Sequence, residues 1–280
     1  MGLIEKVIIF IFYFISMKDL IKMYFDKNIV KDFAEHEQNE KNFMVAEIVD
    51  SVIIQTVWGI YSNFRAVELW WGAHPDRYHT FFDELIKNKW TIDWVDISPY
   101  MLELAKEYIN TDEYKNRLDV INFIENDIIS YLQSIEDYWL DLAIMKYTID
   151  HMDDIDILFS LLSKKLKKWG ALVASVWVLS PELKSISTNA RFLYNWEEFP
   201  ENEIRTLKDW DTFTVKFFNV SGKPEFWYIE WWETTKFYHT KEKYEETAKK
   251  YWFEIFVWDW KEVIKQSEKQ MNQDVLILKK

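Results

Sequence analysis

The feature that most constrains this chain is an alternation of short apolar runs with amphipathic segments between residues 65 and 178. Short apolar runs predict buried strands, and the segments between them repeat apolar residues at helical spacing. The predicted strands span residues 66–69, 91–97, 118–124, 140–145 and 171–178. Because these strands alternate with predicted helices, the pattern indicates an α/β fold with a doubly wound, mostly parallel sheet.

The pattern changes after Pro181. Residues 212–220 and 226–237 flank a Ser-Gly-Lys-Pro turn signal and predict an antiparallel hairpin. Two further apolar runs, 253–257 and 274–278, bring the predicted sheet to seven strands. The predicted organisation is an N-terminal helical cap over 1–60, an α/β core over 61–180, a lid-like antiparallel insertion over 181–240, and a closing helix and strands over 241–280.

Composition excludes several classes of protein. A formal net charge of −13 and the lack of any Lys/Arg-rich block argue against a nucleic-acid partner. The absence of cysteine excludes disulfides and Cys-ligated metal sites, predicts no metal centre, and fits a cytoplasmic location. The oligomeric state has no signal in the sequence.

A nine-residue apolar run over residues 7–15 lies near the N-terminus. A spanning helix needs about 20 apolar residues, so no stable membrane insertion is expected. Three alternatives stay open for this run: a docking helix, residues upstream of a true start at Met17, or a membrane-associating segment.

Polar residues collect where the predicted parallel strands end. Glu68 ends the first strand, Asp96 the second, Asn126 and Asp127 follow the third, and Lys146 follows the fourth. In open α/β sheets, ligands bind beyond the carboxyl ends of the strands. An acid about 20 residues after the first strand–helix junction is suited to bind the hydroxyls of a ribose.

These junctions resemble those of the class I S-adenosylmethionine-dependent methyltransferases. Glu68-Leu69-Trp70-Trp71-Gly72 is similar to the first part of the family's E-x-G-x-G-x-G motif if Trp70, and also Trp71, stand in place of glycine. The segments VDISPYMLELAK, NDI and LDLAIMKYTIDHM resemble the motifs after the second, third and fourth strands. The resemblance implies S-adenosyl-L-methionine as cofactor. It also implies that Asp96 binds the ribose, that Asp127 accepts a hydrogen bond from the adenine amino group, and that Ile128 packs on the adenine ring. The implied cofactor-binding set is Glu68, Trp70, Trp71, Gly72, Asp96, Ile97, Asn126, Asp127, Ile128, Met145 and Lys146.

Glycine is scarce and tryptophan abundant, with 5 and 16 residues respectively. A domain of this length ordinarily has about twenty glycines, and the two counts together come to 21. Trp70, Trp169 and Trp252 fall where the family has glycine, and Trp90 follows a predicted helix at a natural C′ glycine position. Our hypothesis is that UGA codons for glycine have been read as tryptophan. Indole rings at 70 and 71 would then occupy the volume that the cofactor needs.

The function that this resemblance implies is methyl transfer to a small-molecule acceptor. Asp150 and His151, just past the fourth strand, are the candidate catalytic residues. One alternative is an NAD(P)-dependent oxidoreductase, although His74 and Pro75 interrupt any G-x-G-x-x-G pattern. Another is a non-catalytic binding module that retains the fold. The loop after Gly72 departs from the family, so His74 and Asp76 are open between ligand contact and helix capping.

Overall fold

The fold is described from a computed structural model, in which residues 26–28, 30–31, 34, 40–57, 64–69, 74–75, 78–177, 182–185, 190–201, 203–218, 228–258 and 273–280 are placed. Six α-helices of this part of the chain are α1 (Glu40–Val57), α2 (His79–Asn88), α3 (Pro99–Ile109), α4 (Ile128–Ser134), α5 (Ile155–Lys165) and α6 (Lys241–Lys250). Its strands are β1 (Arg65–Leu69), β2 (Thr91–Asp96), β3 (Ile121–Glu125), β4 (Leu140–Met145), β5 (Leu166–Trp177), β6 (Glu182–Lys184), β7 (Ala190–Tyr194), β8 (Ile204–Thr206), β9 (Thr212–Phe218), β10 (Tyr228–Phe237), β11 (Glu254–Trp258) and β12 (Gln273–Lys279).

Seven strands form the main sheet in the order β11-β12-β5-β4-β1-β2-β3. The pairs β1–β2, β1–β4, β2–β3 and β4–β5 are parallel, whereas β12 pairs antiparallel with both β5 and β11. The predicted doubly wound, mostly parallel seven-stranded sheet is therefore confirmed. The strand order changes direction between β1 and β4, which is the position where such sheets bind ligands.

The sheet is covered by helices on both faces. One core cluster packs α1 and α2 against the sheet through residues such as Val52, Phe81 and Leu85. The other packs α5 and α6 through residues such as Phe159 and Tyr244. Both faces of the parallel strands are thus buried, which explains why β4 (LDLAIM) is buried along its whole length.

Side-chain caps fix where several helices begin. The Ser98 hydroxyl accepts a hydrogen bond from Met101 N–H at 3.3 Å, and Pro99 lies in the first turn of α3, as the sequence predicted. Asp127, Asp154 and Thr240 cap α4, α5 and α6 in the same way. In these four helices the first residue is therefore set by local chemistry.

A second sheet has the order β10-β9-β7 and its own apolar cluster, which includes Phe192, Phe213 and Val215. The β9–β10 pair is antiparallel, which agrees with the predicted hairpin. Strand β7 and the small β6–β8 pair have no counterpart in the sequence prediction. Tyr238, which follows β10, is 3% exposed and packs in this cluster.

Three local expectations were wrong. Strand β3 begins at Ile121, because residues 115–119 form a 3₁₀ turn that buries Arg117. Strand β5 begins at Leu166, where α5 ends, and contains an irregularity before Ala171. The left-handed C-terminal position of α2 is Lys89, with φ 56°, and not Trp90, which is buried against Phe64.

Several sequence expectations lie outside the described residues. They are the apolar run 7–15, the alternative start at Met17, the loop residues Trp70, Trp71, Gly72 and Asp76, and the hairpin turn 221–224. In the part of the chain that is described, no helix combines the length and the apolar character needed to cross a membrane.

Candidate functional site

Two acidic side chains end adjacent parallel strands beside the switch point. Glu68 lies in β1, paired with Trp94 of β2 on one side and Ile144 of β4 on the other, and Asp96 is the last residue of β2. Glu68 is 0% exposed and Asp96 is 1% exposed. Burying a carboxylate is costly, so two of them at one sheet edge indicate a binding role.

The backbone after β2 holds Asp96 in a defined position. Ser98 N–H donates a hydrogen bond to Asp96 Oδ1 at 2.7 Å, and Asn126 N–H donates to the Asp96 carbonyl at 3.1 Å. The junctions after β2 and β3 are therefore tied together. This arrangement places Asp96, Ile97 and Asn126 side by side at the edge of the sheet where the parallel strands end, which we call the carboxyl edge.

The Asn126-Asp127-Ile128 segment forms the start of α4. Asn126 Oδ1 accepts a hydrogen bond from Asp127 N–H at 3.0 Å, and Asp127 Oδ1 caps the helix by accepting from Ser130 N–H at 2.9 Å. Ile128 is buried, and its side chain packs in the core. Asp127 thus has a structural function here that is independent of any ligand.

Within three residues at the end of β4, the chain passes from the apolar core to the candidate site. Met145 is fully buried in the apolar cluster, and Lys146 is 1% exposed with its Nζ 5.0 Å from the Tyr147 ring centroid. Tyr147 has a left-handed backbone, with φ 58°, and its N–H donates to Ser175 Oγ at 2.7 Å. A non-glycine residue in this conformation stores strain, which is common at functional sites.

His74, which follows Gly72 where the sequence departs from the family motif, contacts other parts of the structure. Its Nε2 lies 2.8 Å from the Ala34 carbonyl oxygen, and its ring stacks on Tyr108 at 4.6 Å between centroids. The side chain is 1% exposed. These contacts favour a role in fastening residue 34 to the edge of the core.

The two candidate catalytic residues lie in a 3₁₀ turn, Ile149–His151, just beyond β4. Asp150 is 3% exposed, and its Oδ2 lies 3.5 Å from Lys236 Nζ of β10. Both side chains are nearly fully buried. This buried ion pair fastens the second sheet to the loop that follows β4.

His151 and His239 strengthen the same junction. The His151 ring hydrogen-bonds to the Thr235 backbone, and His239 Nε2 donates to the Met152 carbonyl at 3.1 Å. Burial lowers the pKa of His151 to about 3; the positive charge of Lys236 adds to this, and the bond to Thr235 opposes it. Burial likewise lowers the pKa of Lys236, opposed by Asp150. His151 is therefore neutral at physiological pH and a weak base.

Lys236 is the site residue that sequence reasoning missed. A lysine in an alternating strand usually points to solvent, and nothing in the segment Thr234–Phe237 indicates a buried partner 86 residues away. Its position depends on how the second sheet packs on the first.

The chemistry of the carboxyl edge fits a nucleoside-type ligand. The paired acids supply acceptors for hydroxyl groups, and the apolar and amide side chains after β3 suit a flat base. Among the described residues, no group of three or more His, Asp or Glu side chains is arranged to bind a metal.

Comparisons with known proteins agree with this geometry. Residues 78–174 match the family model described as a methyltransferase domain. No curated protein sequence matches the chain.

Among solved structures, an S-adenosylmethionine-dependent methyltransferase from Clostridium acetobutylicum ATCC 824 is 17% identical, with a TM-score of 0.53 and coverage of 90% of this chain and 96% of that one. A protein from Pyrococcus horikoshii OT3 is 16% identical, with a TM-score of 0.53 and coverage of 87% and 93%. The CcbJ methyltransferase from Streptomyces caelestis is 11% identical, with a TM-score of 0.51 and coverage of 83% and 94%. Residues 78–174 are therefore similar to a methyltransferase domain, and the chain has the fold of the S-adenosylmethionine-dependent methyltransferases among these structures.

Proposed function

We propose that the protein transfers a methyl group from S-adenosyl-L-methionine to a small-molecule acceptor. The observation that carries this proposal is the pair of buried carboxylates, Glu68 and Asp96, on adjacent strands beside the switch point of a methyltransferase fold. A ligand at this position meets the ends of β1, β2, β3 and β4 together.

Each junction has a specific role in cofactor binding. Asp96, oriented by Ser98 N–H, accepts the ribose hydroxyls. The Asn126-Asp127-Ile128 segment faces the adenine, and Trp70, Trp71 and Gly72, which follow Glu68 in the sequence, are assigned to the methionine portion by the family resemblance. Three further residues line the same site: Ile97, Met145 and Lys146.

The acceptor binds on the side of β4, against the 3₁₀ turn that carries Asp150 and His151. When bound, the sulfonium cofactor would supply a methyl group that passes to the acceptor atom by in-line displacement, with S-adenosylhomocysteine as the leaving group. The protein then has to orient the acceptor and exclude water. The second sheet, fastened over this turn by Lys236, supplies that cover.

The structure supports different roles for the two candidate residues. A His151 ring with a pKa of about 3 is neutral, so it orients an acceptor through a hydrogen bond and is a poor general base at neutral pH. Asp150, held by Lys236, is the carboxylate available to accept a hydrogen bond from an acceptor hydroxyl or ammonium group. Lys236 positions Asp150.

Two other classes of function make different predictions. An oxidoreductase would use NAD(P) at the same sheet edge, and a non-catalytic module would bind neither cofactor. The absence of a G-x-G-x-x-G pattern around His74 and Pro75 disfavours the first. The buried acids at two adjacent strand ends disfavour the second, because an unused site has no reason to retain them.

A thermal-shift panel with S-adenosylhomocysteine and NAD separates the three functions. The panel uses the W70G/W71G variant beside the unaltered chain, because indole rings in this loop would occupy the cofactor volume. At 100 times the Kd, a ligand stabilises the folded state by about 2.7 kcal/mol. We expect S-adenosylhomocysteine to raise the Tm of W70G/W71G and to have a much smaller effect on the unaltered chain. Stabilisation by NAD alone, or by neither ligand, would contradict the proposal.

A further inference from the structure

We infer that the native protein carries glycine at positions 169, 196, 210 and 252, where this sequence has tryptophan. Within the described residues, eight non-glycine residues have positive φ, and four of them are these tryptophans, with φ of 76°, 67°, 73° and 65°. The left-handed region is unfavourable for residues with a Cβ and is the usual conformation of glycine in turns. Two of these positions, 196 and 210, have no motif that draws attention to them in the sequence.

Trp252 ends α6 in a Schellman motif. Phe253 N–H donates to the Ala248 carbonyl at 2.9 Å, and Trp252 N–H donates to the Lys249 carbonyl at 3.2 Å. These two bonds place residue 252 at the C′ position, which requires a left-handed backbone and is most often glycine. The indole of Trp252 is 88% exposed, so it gains no packing that would offset the strain.

Trp196 lies in a two-residue hairpin turn. Tyr194 and Glu197 exchange both backbone hydrogen bonds, each at 2.9 Å, and both central residues have positive φ (48° for Asn195). Positive φ at both central positions defines a type I′ turn, whose most favoured sequence is Asn-Gly. The Asn195-Trp196 pair has the asparagine in place and a bulky residue where the glycine is expected.

Trp210 occupies the third position of a turn that is closed by Asp211 N–H on the Lys208 carbonyl at 2.9 Å. Positive φ at this position alone is the geometry of a type II turn, which strongly favours glycine. Trp210 differs from the others in one respect, because its ring lies edge-on to His239 with 5.5 Å between centroids. The gain from replacing it is therefore expected to be the smallest of the four.

Trp169 lies next to Gly170 at the irregularity where β5 shifts register against β4. Its N–H donates to the Lys280 carbonyl at 3.1 Å. A Cβ at Gly170 would come within 3.0 Å of the Leu140 and Lys167 carbonyl oxygens, so residue 170 itself has no room for a side chain. Trp169 itself is 76% exposed.

The four turns are unrelated in sequence, and a single cause explains them. If UGA codons that specify glycine are read as tryptophan, glycine positions become tryptophan wherever they occur, and the glycine count falls while the tryptophan count rises. The chain shows both changes in composition. The same cause would apply to Trp70 and Trp71, where the inference rests on the proposed cofactor site.

The coding DNA and the native polypeptide test the inference directly. We expect TGA codons at 169, 196, 210 and 252, and peptides from the source organism whose masses correspond to glycine at each position. TGG codons, or native peptides that carry tryptophan there, would overturn it. This result is independent of whether the protein binds S-adenosylmethionine.

Thermal unfolding of the full chain gives a second test. Four substitutions are made singly and together: W169G, W196G, W210G and W252G. Each should raise the Tm by about 2–4 °C, because it removes backbone strain at one left-handed position. The matched control is W139G, because Trp139 has an ordinary φ and its ring lies 3.9 Å from the Arg65 guanidinium. That substitution should lower the Tm. An unchanged or lower Tm in the fourfold variant would contradict the inference.

Discussion

The carboxyl edge of the sheet has two halves that are built differently. The proposed cofactor half consists of Glu68, Asp96, Asn126 and Asp127, and each of these residues lies within a few positions of a strand end. The proposed acceptor half consists of Asp150, His151 and Lys236, and it joins a turn after β4 to a strand 86 residues later. The first half is fixed by local junctions, whereas the second exists only when the two sheets are packed together.

This difference has a physical consequence. A change in the acceptor half should affect the stability of the fold, because its charges are buried against each other. A change in the cofactor half should affect ligand affinity, since Asp96 is oriented by the Ser98 N–H group, which persists without the ligand. The two halves therefore predict different dominant effects for the same kind of substitution.

The largest expected effect on stability is that of K236A. Removing the ammonium takes away the cation 3.5 Å from the buried Asp150 carboxylate, which costs about 3–5 kcal/mol in the free energy of unfolding. Urea denaturation measures this cost. The D150N/K236M double variant, which removes both charges and keeps their volumes, should recover most of it.

Two results would contradict the proposed effect of the buried Asp150–Lys236 pair on stability. If K236A unfolded at the same urea concentration as the unaltered chain, the buried pair would have no structural role. If the double variant were as unstable as K236A, the cost would come from lost packing and not from an uncompensated charge.

A smaller effect is expected in the pH dependence of stability. The folded-state pKa of His151, about 3, lies below its ordinary value of 6.5, so the unfolded chain binds a proton more readily. Stability from the neutral ring is complete above about pH 6.5 and is lost as the pH falls toward 3. H151Q keeps a donor for the Thr235 carbonyl and cannot titrate. The free energy of unfolding of H151Q should therefore depend less on pH between pH 6.5 and 5. Its slope should be smaller than that of the unaltered chain by up to about 1.4 kcal/mol per pH unit.

The measurement is a series of urea denaturation curves from pH 8 to pH 5 for both chains. Parallel stability profiles would show that His151 titrates normally and that its ring is accessible to water. The acceptor half would then be more open than the buried contacts of Asp150 and Lys236 indicate.

The strands and helices that carry the proposed cofactor half were predictable because their signals are local. Ser98 and Pro99 mark the start of α3 in the sequence, and the structure places the helix there with the Ser98 cap formed. The fully apolar β4 predicts a central strand, and the seven-stranded order confirms it. Helix packing on both faces then follows from the alternation of strands and helices.

The acceptor half and the second sheet were not predictable in the same way. Strand β7 is defined by its pairing with β9, and the buried position of Lys236 depends on that sheet docking on the turn after β4. The hairpin turn at Asn195-Trp196 gave no signal, since tryptophan is not a turn residue. The left-handed residue at the end of α2 was assigned to Trp90, although Lys89 takes that conformation.

The most direct test of the central claim is a calorimetric titration of S-adenosylhomocysteine into the W70G/W71G variant, with and without D96N. The amide oxygen that D96N introduces can still accept from Ser98 N–H, so the fold is retained while the acceptor for the ribose loses its charge. A charged hydrogen bond contributes about 2 kcal/mol, which corresponds to roughly 30-fold in affinity. The matched control is D93N, on the same strand but bonded to Asn122 and Tyr131. We predict one-to-one binding that weakens about 30-fold with D96N and is unchanged with D93N; no binding, or equal affinity with and without D96N, would contradict a cofactor site at this edge.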